Sequence, residues 1–251
     1  GEIPLFSALS HSYNLATVRL GLDLGVKPVA ESLQKLGATR PFEAYPSMLL
    51  GSVSLSPIEV AQIYQTIAAG GFRSPLRAIR EIMDASGKAL HRYPLQVDRV
   101  ADSQGVYLLT WAMQEVVRSG TGKPLEKKLG AALRIAGKTG TTDELRDSWF
   151  AGFSGDKVAV AWVGRDDNQP AGLSGAQGAM VVWGEMMQRL HPLPLNPVMP
   201  EGVDFATVDL ATGMLTDQHC ETARRLPFIR GSVPRLAGNC GGETPEDTYY
   251  Q

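Results

Sequence analysis

Between residues 133 and 164 the apolar period of this chain changes from that of a helix to that of a strand. ALRIAGKTG, DSWFAGF and VAVAWVG are short runs of small, β-branched and aromatic residues, and the last two are joined by the turn Ser154-Gly155-Asp156-Lys157. A four-residue turn containing glycine between two such runs predicts an antiparallel hairpin. An apolar sheet must be covered, so the flanking helices have to pack on it. Helical patterns lie on both sides. Residues 14–25 set Leu15, Val18 and Leu22 on one stripe and end on glycine, and residues 27–37 repeat the pattern. Ser56-Pro57-Ile58-Glu59 is a capping box with proline at the first helical position, opening a helix through Ile63, Tyr64 and Ile67 that stops at Gly70-Gly71. Residues 76–93 predict two short strands around a Ser-Gly turn. A helix capped by Asp102 or Ser103 then runs to Val117 and is broken by Arg118-Ser119-Gly120-Thr121-Gly122. Beyond the sheet, Ala176, Ala179, Met180, Trp183, Met187 and Leu190 recur at helical spacing, as core positions rather than as a cofactor surface. Helices, then an antiparallel sheet, then a closing helix make an α+β fold.

Composition narrows the function classes. A net charge of −2 and a pI near 6.1 give no basic face for nucleic acid. No run approaches the ~18 apolar residues of a membrane span. The opening GEIPLFSALSHSYN lacks a basic region followed by an apolar one, so it is no signal peptide, and it begins without Met, as a piece of a longer polypeptide would. The four histidines are scattered and no C-x-x-C occurs, so no metal site is expected. Residues 1–191 are expected to hold the main domain, and residues 192–251 a Pro- and Gly-rich appendage with a short VDFATVDLATGML hairpin. The chain's two cysteines, Cys220 and Cys240, lie in that appendage. They are either a disulfide, worth at most about 3 kcal/mol and pointing to an oxidising compartment, or two unrelated thiols.

The chemistry concentrates in Ile135–Phe153. Lys138 stands in an apolar strand among small residues, followed by Thr139, Gly140, Thr141 and Thr142. A lysine is costly to bury without a partner or a task. One ammonium beside a row of hydroxyls and strand amides is suited to a carboxylate, with the strand edge open to an extended peptide. The plainer alternative is an edge strand whose lysine deters aggregation. Ser12-Tyr13-Asn14 forms an S-x-N triplet, which also suits the N-cap of the helix that follows.

Taken together, S-x-N followed by K-T-G resembles the penicillin-binding transpeptidases and serine β-lactamases. Gly120-Thr121-Gly122, AGKTGTT, DSWFAGF, WVGRDDNQP and SGAQGAM are similar to the bifunctional class A penicillin-binding proteins, in particular the 1b type of Gram-negative bacteria. The likeness covers roughly residues 10–190. It implies the penicillin-binding fold, incomplete here on its N-terminal side, and D,D-transpeptidation of peptidoglycan stem peptides ending in D-Ala-D-Ala, with β-lactams acylating the same serine. It implies that Lys138 attracts the substrate carboxylate, that Thr139 and Thr141 hydrogen-bond it, and that the Thr141 backbone N–H forms half of an oxyanion hole. Ser12 would relay a proton to the leaving group, Asn14 would hold an amide of the acyl donor, and Gly140 would keep the strand clear. It further implies the periplasmic face of the inner membrane, with an anchor and a glycosyltransferase domain elsewhere in the polypeptide. No cofactor is implied, because acyl transfer through serine needs none.

The family's S-x-x-K should precede S-x-N by tens of residues, and only eleven residues precede Ser12. Ser32-Leu33-Gln34-Lys35 follows the triplet, and Ser154-Gly155-Asp156-Lys157 is a turn, so neither is expected to supply the nucleophile. The acylating serine is therefore expected upstream, on a segment that partners this chain and without which it is inactive. Two alternatives remain. A serine β-lactamase would need a deacylating base, for which Glu43, Glu59 and Glu81 are the weak candidates. A non-enzymatic penicillin sensor or scaffold would use the appendage to dock cell-wall partners.

Overall fold

The structure, a computed structural model, describes residues 3–216 and 221–238. The helical first part consists of α1 (Leu5–His11), α2 (Asn14–Leu24), α3 (Val26–Leu36) and α4 (Pro57–Ala68). The capping box opens α4 as its sequence predicts: the Ser56 N–H and hydroxyl both donate to Glu59 Oε2, at 2.9 and 2.6 Å. Thr39 and Arg40 also reach that carboxylate, at 3.1 and 3.2 Å. These bonds, the Ser56 hydroxyl foremost, hold the Glu59 pKa down to about 2.

The stripe read on α2 is not core. Leu15 is 88% and Leu22 49% exposed, and the helix packs instead through Gly21, which lies against the Leu49 side chain. A 3.6-residue period shows that a face is apolar without showing which neighbour covers it.

Two short antiparallel pairs follow, β1 (Phe72–Arg73) with β4 (Asp98–Arg99) and β2 (Glu81–Met83) with β3 (Ala89–Arg92). Helix α5 (Ser103–Arg118) and the short α6 (Lys123–Leu129) lead into the sheet of β5 (Ala136–Thr141), β6 (Ser148–Phe153) and β7 (Val158–Val163). Strand order is β5-β6-β7, antiparallel throughout, with Lys138 opposite Ala151, Thr139 opposite Phe150 and Thr141 opposite Ser148. The predicted hairpin is β6–β7, and the strand carrying K-T-G lies at one edge.

Helix α7 (Ala179–Leu190) closes the sheet. Trp183 and Phe150 are fully buried and meet edge to face at 4.9 Å, and Trp183 Nε1 donates to the Ala159 carbonyl at 2.9 Å. Ala179, Met180 and Met187 are buried as the spacing implied, whereas Leu190 is exposed. With Val117, Leu125, Ile135 and Ala161 they make the core behind the sheet.

One buried hydroxyl fixes where α7 starts. Ser148 Oγ donates to the Ser174 carbonyl and accepts the Ala179 N–H, both at 2.8 Å, so it caps α7 from a neighbouring strand. The segment entering α7 thereby lies across the sheet edge. A Cβ on Gly175 would fall 2.5 Å from the Gly140 carbonyl oxygen, so only glycine fits this approach.

The chain divides into two units, Gly1–Asp102 with Leu109–Pro197, and Ser103–Leu108 with Val198–Gln251. In the second, β8 (Val203–Asp209) pairs over its length with β9 (Ala223–Ile229), not within VDFATVDLATGML. Buried Asp209 gathers the Ala211 N–H and the Thr212 hydroxyl at 3.0 Å, and the Thr222 hydroxyl as well. That turns the chain at once and leaves only a single bridge from Val208 to Leu215. Cys220 and Cys240 lie outside the described residues.

Candidate active site

Ser12 ends α1 in the left-handed conformation, φ 59° and ψ 46°. Its N–H donates to the Leu9 carbonyl at 3.2 Å and the Tyr13 N–H to the Ala8 carbonyl at 2.9 Å, the helix-ending pattern whose left-handed position usually holds glycine. A residue with a Cβ pays roughly 1–2 kcal/mol there. A serine kept at a glycine position points to a use for its hydroxyl. The cap expected of Ser12 or Asn14 on the next helix is absent: Tyr13 is the N-cap of α2, no side chain caps it, and Asn14 is its first helical residue. Because α1 and α2 share this tight corner, Ser12 is spent on ending one helix rather than starting the next.

Lys138, on β5, reaches across the 126 residues that separate it from Ser12 and donates from Nζ to the Ser12 hydroxyl at 3.0 Å. The same ammonium donates to the Thr139 carbonyl at 3.0 Å and, at 3.5 Å, to Thr139 Oγ1. No carboxylate among the described residues pairs with it. Burial in this environment pushes the Lys138 pKa down to about 8, leaving it mostly protonated at neutral pH.

Thr139 Oγ1 lies 2.8 Å from Thr121 Oγ1, so the Gly120-Thr121-Gly122 turn also touches the site. Thr141 Oγ1 accepts the Gly175 N–H at 2.8 Å and keeps its own proton to donate. Gly140 lies opposite Trp149, with room for no more than a tight Cβ at 3.1 Å from the Trp149 Cβ. Asn14 is exposed on the first turn of α2, two residues from Ser12. The arrangement is thus one unpaired cation, a serine hydroxyl held by it, and two threonines on a sheet edge. It can take a carboxylate, and it can pass a proton through Ser12, whose oxygen is already hydrogen-bonded by the ammonium.

The S-x-x-K matches lie elsewhere. Ser32 is exposed on α3 and donates to the Pro28 carbonyl at 2.9 Å. Ser154 is buried in the β6–β7 turn, where it bonds Asp156, and Lys157 pairs with the same aspartate. Thr121 and Gly175 were not singled out by spacing. Beyond lying in the family-like stretches Gly120-Thr121-Gly122 and SGAQGAM, they were marked only by glycine-rich breaks flanking the strand, which signal a close approach without saying to what.

A strand lysine thus donates to the serine of an S-x-N corner at the edge of a helix-covered antiparallel sheet. The family model "Penicillin binding protein transpeptidase domain" matches residues 1–181, and this chain belongs to that family. Among its relatives, Penicillin-binding protein 1B of Escherichia coli (strain K12) is 46% identical over 210 residues, 83% of this chain and 25% of the relative. Penicillin-binding protein 1B of Vibrio cholerae is 43% identical over 230 residues, 91% of this chain and 29% of the relative. The crystal structure of Penicillin-Binding Protein 1A from Haemophilus influenzae superposes with a TM-score of 0.86 at 25% identity, covering 94% of this chain and 41% of that one. The chain therefore spans between a quarter and a third of the two 1B relatives' length. The resemblance to class A penicillin-binding proteins of the 1b type, and the α+β fold, are borne out.

Proposed function

We propose that this chain is the substrate-binding and proton-relay part of a peptidoglycan D,D-transpeptidase site. The observation that carries the reading is the 3.0 Å bond from Lys138 Nζ to Ser12 Oγ, which joins the two motifs into one site. An acyl donor ending in D-Ala-D-Ala lies along β5, its carboxylate on Lys138, Thr139 and Thr141. The acylating serine, on a segment outside this sequence, attacks the penultimate carbonyl, and the Thr141 N–H stabilises the oxyanion. Ser12 passes the proton given up by the attacking serine on to the departing D-Ala nitrogen, Asn14 holds a donor amide, and Gly140 leaves the strand clear. An amine on a second strand then takes the acyl group, and a β-lactam acylates the same serine as a substrate mimic. We assign the activity to the periplasmic face of a Gram-negative inner membrane, with anchor and glycosyltransferase domain elsewhere in the polypeptide. Residues 192–251 are a C-terminal appendage.

Two of the three carboxylates that the β-lactamase reading could call on are already engaged. Glu59 is committed to the α4 cap and Arg40, and Glu81 to Arg92 across the β2–β3 pair.

The full-length protein is expected to release D-Ala from stem pentapeptides and join them, with a rate that falls as pH rises past about 8 and Lys138 loses its charge. Stability runs the other way. The folded pKa of about 8 lies below the ordinary lysine value of 10.5, so between them the unfolded chain binds more protons and stability rises with pH. A donor-release rate that keeps climbing between pH 8 and 10 contradicts the charged role of Lys138.

A further inference from the structure

The Gly120-Thr121-Gly122 turn is not used by the reaction as written, yet it touches Thr139 of K-T-G and Ser10, two residues before the S-x-N triplet. A Cβ on Gly120 would fall 2.1 Å from the Ser10 carbonyl oxygen, so the turn can pass under the end of α1 only with glycine there. The Thr121 N–H donates to that carbonyl at 3.0 Å, satisfying one of the unpaired acceptors at the end of α1, two residues before Ser12. The Thr121 side chain meets Thr139 Oγ1 at 2.8 Å. Buried Glu115 anchors the turn from behind: its backbone carbonyl accepts the N–H groups of Ser119 and Gly120 at 2.9 and 3.1 Å.

We propose that Thr121 is a positioning residue for carboxylate recognition: its hydroxyl donates to Thr139 Oγ1 and so aims the single proton of the Thr139 hydroxyl at the substrate carboxylate. A threonine hydroxyl has one donor and two acceptor sites. The Lys138 ammonium can only donate, and it approaches Thr139 Oγ1 at 3.5 Å. If Thr121 donates as well, both acceptor sites of Thr139 are engaged, and its proton is left to point outward to an anion. If Thr139 instead donated to Thr121, it would present a lone pair to the carboxylate, which repels it. A bound carboxylate therefore selects the first arrangement, and the Thr121 N–H bond to Ser10 holds the donor in register with the Ser12 corner. The inference rests on the transpeptidase reading of the site and adds to it a residue outside the K-T-G and S-x-N motifs.

The test is the second-order rate of acylation of the full-length protein by benzylpenicillin and by its methyl ester, in which the carboxylate is masked. Thr121→Val removes the hydroxyl and keeps the shape. It is expected to slow benzylpenicillin about tenfold, the worth of one hydrogen bond to a charged ligand, and to leave the ester rate unchanged. Thr121→Ser, which keeps the hydroxyl, should stay within about twofold of the wild type. In a Thr139→Val background, Thr121→Val should cost nothing further, because it acts through Thr139. Equal losses for penicillin and ester, an unchanged penicillin rate in Thr121→Val, a tenfold loss in Thr121→Ser, or additive losses in the double variant would each overturn the inference. A wild-type protein that takes up no penicillin at all would sink the transpeptidase reading, and this inference with it.

Discussion

Lys138→Ala is expected to slow penicillin acylation of the full-length protein by about 10²–10³-fold, the cost of losing a charged group aimed at the reacting ligand in a partly dry site. Three bonds leave with it, to the Ser12 hydroxyl, the Thr139 carbonyl and Thr139 Oγ1. The fold should not suffer in proportion. Burial depresses the Lys138 pKa, so its protonated form opposes folding at neutral pH, and removing it relieves that opposition. The expected pair of results is a collapsed acylation rate with a melting temperature at or above that of the wild type. Lys138→Arg should rescue little. A planar guanidinium cannot reproduce a point ammonium that donates to Ser12 and to the Thr139 carbonyl at 3.0 Å each. A variant that melts well below the wild type would make Lys138 a structural residue first.

Ser12→Gly makes the second large prediction, and it separates function from stability in one substitution. Ser12 sits at φ 59°, a conformation glycine adopts without the Cβ penalty. Part of that gain is lost to the greater freedom of glycine in the unfolded chain, which leaves about 0–1 kcal/mol of net stabilisation. Activity should fall by about 10²–10⁴-fold, the usual worth of a positioned proton-transfer group. Ser12→Ala should be as inactive without becoming more stable, since it keeps the left-handed strain. Calorimetry on both variants beside their acylation rates checks the pair. A Ser12→Gly protein that acylates normally would remove Ser12 from the proton path.

What the sequence made legible was local. The β6–β7 hairpin follows from two apolar runs around a glycine turn, and the start of α4 from its capping box. Lys138 stood out because a lysine in a strand of small residues has few structural reasons to be there. The 3.0 Å contact between Lys138 and Ser12 left no periodic trace, because the two residues are brought together only by tertiary packing. That the two residues serve one site was expected from family resemblance, not from spacing. Short elements were missed for a related reason: α1 and α6 are only 7 residues each and carry no side-chain cap, too little pattern to separate from a loop. The apolar stripe on α2 was real and yet mostly exposed, because the contact partner, Leu49, selected Gly21 instead. Thr121 was legible only as part of the family-like Gly120-Thr121-Gly122, which says nothing of what its side chain meets. It matters through Ser10 and Thr139, on two elements remote in sequence.

The central claim is that this chain binds and relays while a serine outside it forms the covalent bond. Intact-mass spectrometry with peptide mapping after exposure to benzylpenicillin tests it most directly, on the full-length protein and on the 251-residue chain alone. The account predicts one penicilloyl adduct on the full-length protein, at a serine outside this sequence, and none on the chain alone. An adduct mapping to Ser12, Ser32 or Ser154 would contradict it.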